Sequence, residues 1–289
     1  MTKKWNIGFV GTGVMGSSII KHFLNAGHTV NVYTRTKEKA LPLVELGAKW
    51  FQTSGEVASQ SNIIFTMVGY PQDVEEVYFE ENGVFKNGHV GLIVVDMTTS
   101  QPILAKKIAE HAKTVQMEAL DAPVSGGDIG AQNGTLSIMV GGELEIFEKV
   151  SPLFNLIGKN IVYQGSAGAG QHTKMCNQIA IATNMIGVCE AIAYGKKAGL
   201  DINNVLSSIT FGAAGSWSLS NLAPRIVKED LDPGFYVKHF IKDMKIALQE
   251  AELMQLELPG LELAKKMYDE IATNGYANNG TQALINYYQ

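Results

Sequence analysis

The sequence is short of the features that mark several large classes of protein. Its 289 residues include two cysteines, Cys176 and Cys189. They fall within one apolar segment, where helical pitch would separate them by about 20 Å, too far to bridge. No CxxC spacing offers a metal site, so both are expected to be buried, reduced thiols of a cytosolic protein. An excess of positive charge is also missing: 23 Lys and Arg against 28 Asp and Glu leave a net charge of -5. That balance argues against nucleic acid or an anionic membrane as partner, while allowing a small anion held by a few local cations. No apolar run reaches spanning length without an Asn, a Gly or a charge, so no membrane segment is expected. The opening MTKKWNIGFVGTG carries no signal-peptide apolar region ahead of a small-residue cleavage site. The expected location is the cytoplasm. Internal repeats and low-complexity stretches are lacking, and no cluster of His, Cys and carboxylates suggests a bound metal.

What is present is an ordinary globular balance, 46% hydrophobic and 18% charged. The length exceeds one typical domain of roughly 100–200 residues, which points to two. Short apolar runs at 6–10, 29–33, 63–68, 92–96, 119–121, 136–140 and 160–163 read as strands, with amphipathic stretches such as 14–26 and 101–112 between them. Near-continuous apolar strands spaced by helices predict a parallel sheet covered on both faces. After Gly165 comes the flexible stretch GSAGAG, and strand patterns almost vanish. A long helix is expected over 171–198, with further helices at 202–210, 236–256 and 261–273. Met175, Ile179, Ala182 and Ile186 form one apolar stripe on the long helix; Ile181, Met185, Val188 and Ile192 form another. A helix apolar on two sides is buried by a second domain or a partner chain, so a homodimer or homotetramer is expected.

The run Gly11-Thr12-Gly13-Val14-Met15-Gly16 follows the first strand and opens a helix. In that context GxGxxG reads as a dinucleotide-binding turn. Gly11 permits the tight turn, Gly13 lets a pyrophosphate approach the backbone, and Gly16 allows helix and strand to pack closely. The free N–H groups and positive end of the helix stabilise the phosphates. The fold class is therefore α/β. Residues 1–165 read as a Rossmann-type, doubly wound, dinucleotide-binding domain, and residues 166–289 as an all-α substrate and oligomerisation domain.

An NAD site usually places Asp or Glu at the end of the second strand to bond the ribose hydroxyls. Here that strand runs into Thr34, Arg35 and Thr36, with no carboxylate at its tip. Arg35 can form a bidentate, charge-assisted pair with a 2′-phosphate, and Thr36 can add a donor. NADP is thus favoured over NAD; the alternative reading of Arg35 is a solvated loop cation.

Three further motifs, DAPVSGG (Asp121 to Gly127), GQHTKMCNQ (Gly170 to Gln178) and IKDMKIAL (Ile241 to Leu248), follow the glycine turn in order. With them the sequence closely resembles the β-hydroxyacid dehydrogenases, over essentially its whole length. That family includes 3-hydroxyisobutyrate dehydrogenases, tartronate semialdehyde reductases and glyoxylate/succinic semialdehyde reductases. The resemblance implies an NAD(P)-dependent oxidoreductase acting on a short hydroxy acid or semialdehyde.

It also implies roles for particular residues. Lys174 matches the family's catalytic lysine. A lysine on an otherwise apolar helix asks for an explanation of its own, either chemistry or snorkelling at the helix start. Near a helix N-terminus the dipole disfavours its charge, which lowers its pKa toward the range useful for proton transfer. Asn177, one turn on, matches the residue placed on the substrate near the reacting oxygen, or else bonds within a domain interface. Gln178 departs from the Asn of many members. Ser125, Gly126 and Gly127 match the segment that binds the substrate carboxylate; alone they would read as a tight turn. Val68, Gly69 and Thr99 match cofactor contacts at strand ends. Lys242 matches a lysine near both nicotinamide and substrate, with Asp243 expected to pair with it or fix its helix. Asp73 stands where relatives often carry Asn. Trp217 and Phe235 are candidates for the pocket wall, or else core.

The reaction so implied is reversible hydride transfer, with Lys174 as general acid/base and no metal. Three rivals stand beside it. Decarboxylating 6-phosphogluconate-type enzymes are longer in the helical half, and imine reductases usually lack the lysine. A non-catalytic dinucleotide-binding scaffold would not need Lys174 and Asn177.

Overall fold

The computed structural model describes residues 4–288, which divide into two compact units between Lys174 and Met175. In the first, the described residues form a nine-stranded sheet. Its strands are β1 (Asn6–Val10), β2 (Thr29–Tyr33), β3 (Lys49–Trp50), β4 (Ile63–Thr66), β5 (Ile93–Asp96), β6 (Glu118–Asp121), β7 (Val124–Ser125), β8 (Leu136–Gly142) and β9 (Gly158–Gly165). Pairing follows the path β3-β2-β1-β4-β5-β6-β8, with β7 end to end with β6 on one edge of β8 and β9 on its other edge. From β3 to β6 every pairing is parallel. This is the 3-2-1-4-5-6 order of a doubly wound dinucleotide fold, whose connections reverse direction between β1 and β4.

The expected parallel, doubly wound sheet is present from β3 to β6, and beyond it β8 runs antiparallel to both β6 and β7. β7 keeps the direction of β6 after Ala122 and Pro123. The helix Gly127–Asn133 that follows has 7 residues. It advances only about 10 Å, too little to return the chain to the far end of the sheet. β8 therefore starts where β7 stops and runs back. Two-residue strands such as β3 and β7 are too short to show a hydrophobic period, and the sequence reading missed them.

Both faces of the central strands are buried, and alternate residues serve each. Ile7, Phe9, Ile63, Phe65, Ile93 and Val95 enter one core; Val10, Ile64 and Val94 enter the other. On the first face Phe65 meets Phe23 at a centroid distance of 5.1 Å and Phe154 edge-on at 6.2 Å. On the second, Tyr78 is fully buried and its hydroxyl bonds to Thr66 Oγ1 at 3.1 Å.

The second unit is helical among its described residues, apart from one isolated bridge between Tyr236 and Gly280. Its core gathers Ala182, Met185, Cys189, Ile192, Phe240, Met244, Ala264 and Tyr268. The helices Ile202–Ile209, Val237–Leu253 and Pro259–Thr273 fall where periodicity places them. The 29-residue helix Ala169–Lys197 buries Met175, Gln178, Ala182, Met185, Cys189 and Ile192, spaced three and four apart on one face. Ile179, Ile181 and Ile186 flank that face half-buried, while Cys176, Ala180, Thr183, Gly187, Glu190 and Tyr194 are exposed opposite. Cys176 thus corrects the expectation of two buried thiols: one turn before Ala180, it falls on the polar and small-residue side. No helix among the described residues is long and apolar enough to cross a membrane.

Candidate active site

The glycine turn joins β1 to the helix Val14–Asn25. Gly11 has φ +103°, a region that favours glycine, and a Cβ there would lie 2.1 Å from the Met67 carbonyl oxygen. Its N–H donates to Tyr33 O at 2.9 Å, fastening the turn to the end of β2. A Cβ on Gly16 would fall 2.0 Å from Gly11 O, so helix and turn touch backbone to backbone. Gly13 differs: a Cβ would meet nothing within 4 Å. Thr12 is buried, and its Oγ1 has no hydrogen-bond partner among the described residues. Open space above Gly13, beside an orphaned buried hydroxyl at a helix start, fits a pyrophosphate. Val14 is exposed and Met15 packs partly onto the core.

At the tip of β2, Thr34 is half-buried, and Arg35 and Thr36 are exposed. Arg35 Nη1 lies 2.9 Å from Asp73 Oδ1, and Asp73 Oδ2 accepts from Tyr70 N at 3.0 Å at the start of the helix Pro71–Phe79. Arg35 is therefore ion-paired, a partner the sequence reading did not foresee. Among the strand ends, Val68 N donates to Thr98 Oγ1 at 3.1 Å, and Thr98 N donates to Asp96 Oδ1 at 3.0 Å. Gly69 and Thr99 beside them are half-buried.

Ser125 ends β7, Gly126 has φ +126° and Gly127 φ +65°. Two successive positive-φ residues turn the backbone sharply there, a conformation open to few residues but glycine. Lys174, 7% exposed, lies in the second turn of the helix Ala169–Lys197. The first turn of that helix is held by Asp121 and Gln171, neither of which was given this role from sequence. Asp121 Oδ1 accepts from Gly168 N and Oδ2 from Gln171 N, each at 2.8 Å. Burial raises the Asp121 carboxyl pKa, and the backbone N–H groups oppose that rise.

In the helical unit, Asn177 Nδ2 donates to Gln178 Oε1 at 2.7 Å, and Gln178 Nε2 donates to Asp243 Oδ2 at 2.6 Å. Lys242 Nζ lies 2.8 Å from Asp243 Oδ1, so Asp243 does pair with its neighbour. Phe235 packs against this unit's core, and Trp217 is exposed at the start of a short helix. No group of His, Cys, Asp and Glu among the described residues could hold a metal ion.

A strand order, glycine turn and strand-end cluster of this kind define a dinucleotide-binding protein. Residues 6–165 match the family model described as the NAD-binding domain of 6-phosphogluconate dehydrogenase. Residues 168–288 match the one described as NAD-binding of NADP-dependent 3-hydroxyisobutyrate dehydrogenase. The chain is 64% identical over 281 residues to the uncharacterized oxidoreductase YkwC of Bacillus subtilis, covering 97% of this chain and 98% of that one. It is 40% identical to the 2-hydroxy-3-oxopropionate reductase of Escherichia coli, over 96% of this chain and 95% of that one. The solved Mycobacterium tuberculosis 3-hydroxyisobutyrate dehydrogenase with L-serine superposes with TM-score 0.90 at 26% identity, covering 98% of this chain and 99% of that one. The chain belongs to the β-hydroxyacid dehydrogenase family and is an NAD(P)-dependent oxidoreductase.

Proposed function

We propose that the protein interconverts a short 3-hydroxy acid and its semialdehyde, prefers NADP(H) to NAD(H), and uses Lys174 as its general acid/base. The observation that carries this reading is a lysine only 7% exposed, one turn into a helix whose start is fastened to the sheet bearing the dinucleotide turn. A bound nicotinamide supplies or accepts the hydride. Gly11, Thr12, Gly13, Val14, Met15 and Gly16 hold its pyrophosphate, and Val68, Gly69 and Thr99 line its path along the strand ends. Thr34, Arg35 and Thr36 receive the 2′-phosphate: Arg35 gives one donor to Asp73 and keeps others for it. In oxidation, neutral Lys174 accepts the hydroxyl proton; in reduction its ammonium protonates the forming alkoxide. Asn177 orients the reacting oxygen. Ser125, Gly126 and Gly127 hold the carboxylate and so set its distance from the reacting carbon. Lys242 supplies a cation for the substrate and nicotinamide.

With NADP as cofactor, aldehyde reduction is the working direction. The relatives named for 3-hydroxyisobutyrate and 2-hydroxy-3-oxopropionate support the substrate class. A homodimer or homotetramer belongs to the same proposal, with Ile179, Ile181 and Ile186 of the long helix left half-buried in the single chain.

The test is a steady-state panel with NADPH and NADH against methylmalonate, tartronate and succinic semialdehydes and glyoxylate, run on the wild type and Lys174→Ala. Turnover is expected on at least one, with a loss of about 10²–10⁴-fold in kcat for the variant. No turnover on any would favour a dinucleotide-binding scaffold. A loss of about tenfold or less would remove Lys174 from the chemistry.

A further inference from the structure

Helix starts leave up to four backbone N–H groups without partners, and a nearby Ser, Thr, Asp or Asn usually serves them. The helix Ala169–Lys197 uses a residue from far upstream instead. Asp121, at the end of β6 and 3% exposed, accepts from Gly168 N and Gln171 N with its two oxygens. Two glycines make this approach possible. A Cβ on Gly170 would lie 2.4 Å from Met139 O, and one on Gly141 would lie 2.5 Å from Asp121 Oδ1.

A second fastening comes from the Gln171 side chain, which is fully buried. Its Oε1 accepts from Ser100 N at 3.0 Å, and its Nε2 donates to Thr98 O at 2.7 Å. The amide orientation is unambiguous, because a backbone N–H only donates and a carbonyl only accepts. Thr98 in turn accepts from Val68 N through its hydroxyl. The ends of β4, β5 and β6 are thus joined through Val68, Thr98, Gln171 and Asp121 to one helical turn.

A buried hydrogen bond adds only about 1 kcal/mol net, although an apolar side chain of similar volume would also take this partner from Ser100 N and Thr98 O. What the amide adds is register. It matches one donor and one acceptor at fixed points, so rotating or sliding the helix against the strand ends would break both bonds. Lys174 follows Gln171 by three residues, on the same face, and is itself buried.

We propose that Gln171 and Asp121 are positioning residues that set the place of Lys174 relative to the cofactor-bearing strand ends; this rests on the reading of Lys174 as the acid/base group. The experiment is a double-mutant cycle on the full chain, reading single-turnover oxidation of NADPH with whichever semialdehyde is turned over, plus NADPH affinity by fluorescence. Gln171→Met is expected to lower the rate by about 10- to 100-fold, the scale of a 1 Å misplacement. NADPH affinity should change much less. In a Lys174→Met background the same substitution should add no more than about twofold, since residues acting through one group are not additive.

Multiplying effects, or a single variant within about twofold of wild type, would overturn the proposal while leaving Lys174 in place. A Lys174→Met single variant within about tenfold of wild type would overturn both, and is recognised without any Gln171 variant. Should Gln171→Met fail to fold, Asp121→Asn keeps the shape, replaces one acceptor, and enters the same cycle with the same criteria.

Discussion

Gln178 donates from Nε2 to Asp243 Oδ2 at 2.6 Å, and this bond fixes the polarity of a short chain of side chains. A carboxylate accepts and does not donate, so the Gln178 nitrogen must face it and its oxygen must face away. Asn177 then has to turn its own nitrogen toward Gln178 Oε1, at 2.7 Å. The Asn177 oxygen is thereby directed away from Gln178 as an acceptor. Asp243→Asn removes the constraint, because an amide can present either end. The expected result is a loss of about 10- to 100-fold in kcat, with a smaller change in cofactor affinity. Equal losses in both would show that the chain only supports the helical unit.

The three glycines of the turn should fail in different ways. Gly11→Ala and Gly16→Ala place a methyl about 2 Å from backbone oxygen, so both should lower thermal stability. The cost should be about 1–3 kcal/mol or more, the scale of overpacking. Gly13→Ala meets nothing within 4 Å and should melt like the wild type, yet lose dinucleotide affinity because the methyl occupies the pyrophosphate's approach. Thermal melts with and without NADPH separate the cases. A Gly13→Ala protein still stabilised by NADPH to the wild-type extent would remove the turn from the cofactor site.

Arg35→Asp is expected to weaken NADPH by about 10- to 100-fold and NADH much less, matching one charge-assisted bond of about 1.5–3 kcal/mol. Asp73→Asn should do the reverse. Asp73 Oδ1 holds Arg35 at 2.9 Å and brings a negative charge beside the proposed 2′-phosphate. Its loss should favour NADPH over NADH by about two- to fivefold. Titration of both nucleotides against both variants checks this pair of signs.

Thiol chemistry and acid sensitivity follow from burial. Burial, aided by Glu190, pushes the Cys189 thiol up to about 12, while Cys176 is exposed. Alkylation at neutral pH should label Cys176 first and Cys189 only after unfolding. His28 is held below its usual range by burial and by Lys4, and its Nδ1 accepts from Trp5 N at 3.2 Å. The unfolded chain therefore binds this proton more tightly than the folded one. Its contribution to stability is present above about pH 6.5 and is lost as pH falls below that. Urea melts at pH 7.5 and 5.5 should show a smaller decline for His28→Asn than for the wild type.

Much of this architecture was legible because its signals are local. Ile7, Phe9 and Val10 announce a strand buried on both faces, and Gly11, Gly13 and Gly16 announce the turn after it. The unread parts depend on partners distant in sequence. Nothing near Arg35 points to Asp73, and nothing near Gly168 points to Asp121 as its acceptor. Gln171 carried the one available signal, a polar residue aligned with the buried face of an apolar helix, but only the fold reveals Thr98 and Ser100 opposite it. Cys176 defies the expectation of burial because that expectation rests on its apolar segment as a whole and not on its place around the helix. A one-residue step rotates about 100° around a helix, from the core to the exposed face.

The strand order has a consequence for how the sheet can be assembled. β1 is made first and ends near the middle; β2 and β3 add on one side, and β4, β5 and β6 on the other. Through β6, each strand leaving the ribosome can join an edge that already exists, and none must be threaded between two that are paired. β8 keeps to this outward growth, pairing antiparallel along the edge formed by β6 and its continuation β7, and β9 then joins the free edge of β8. Vectorial synthesis should therefore leave a half-built sheet that is already native-like, whose outer edge at β6 waits for the antiparallel strand that covers it.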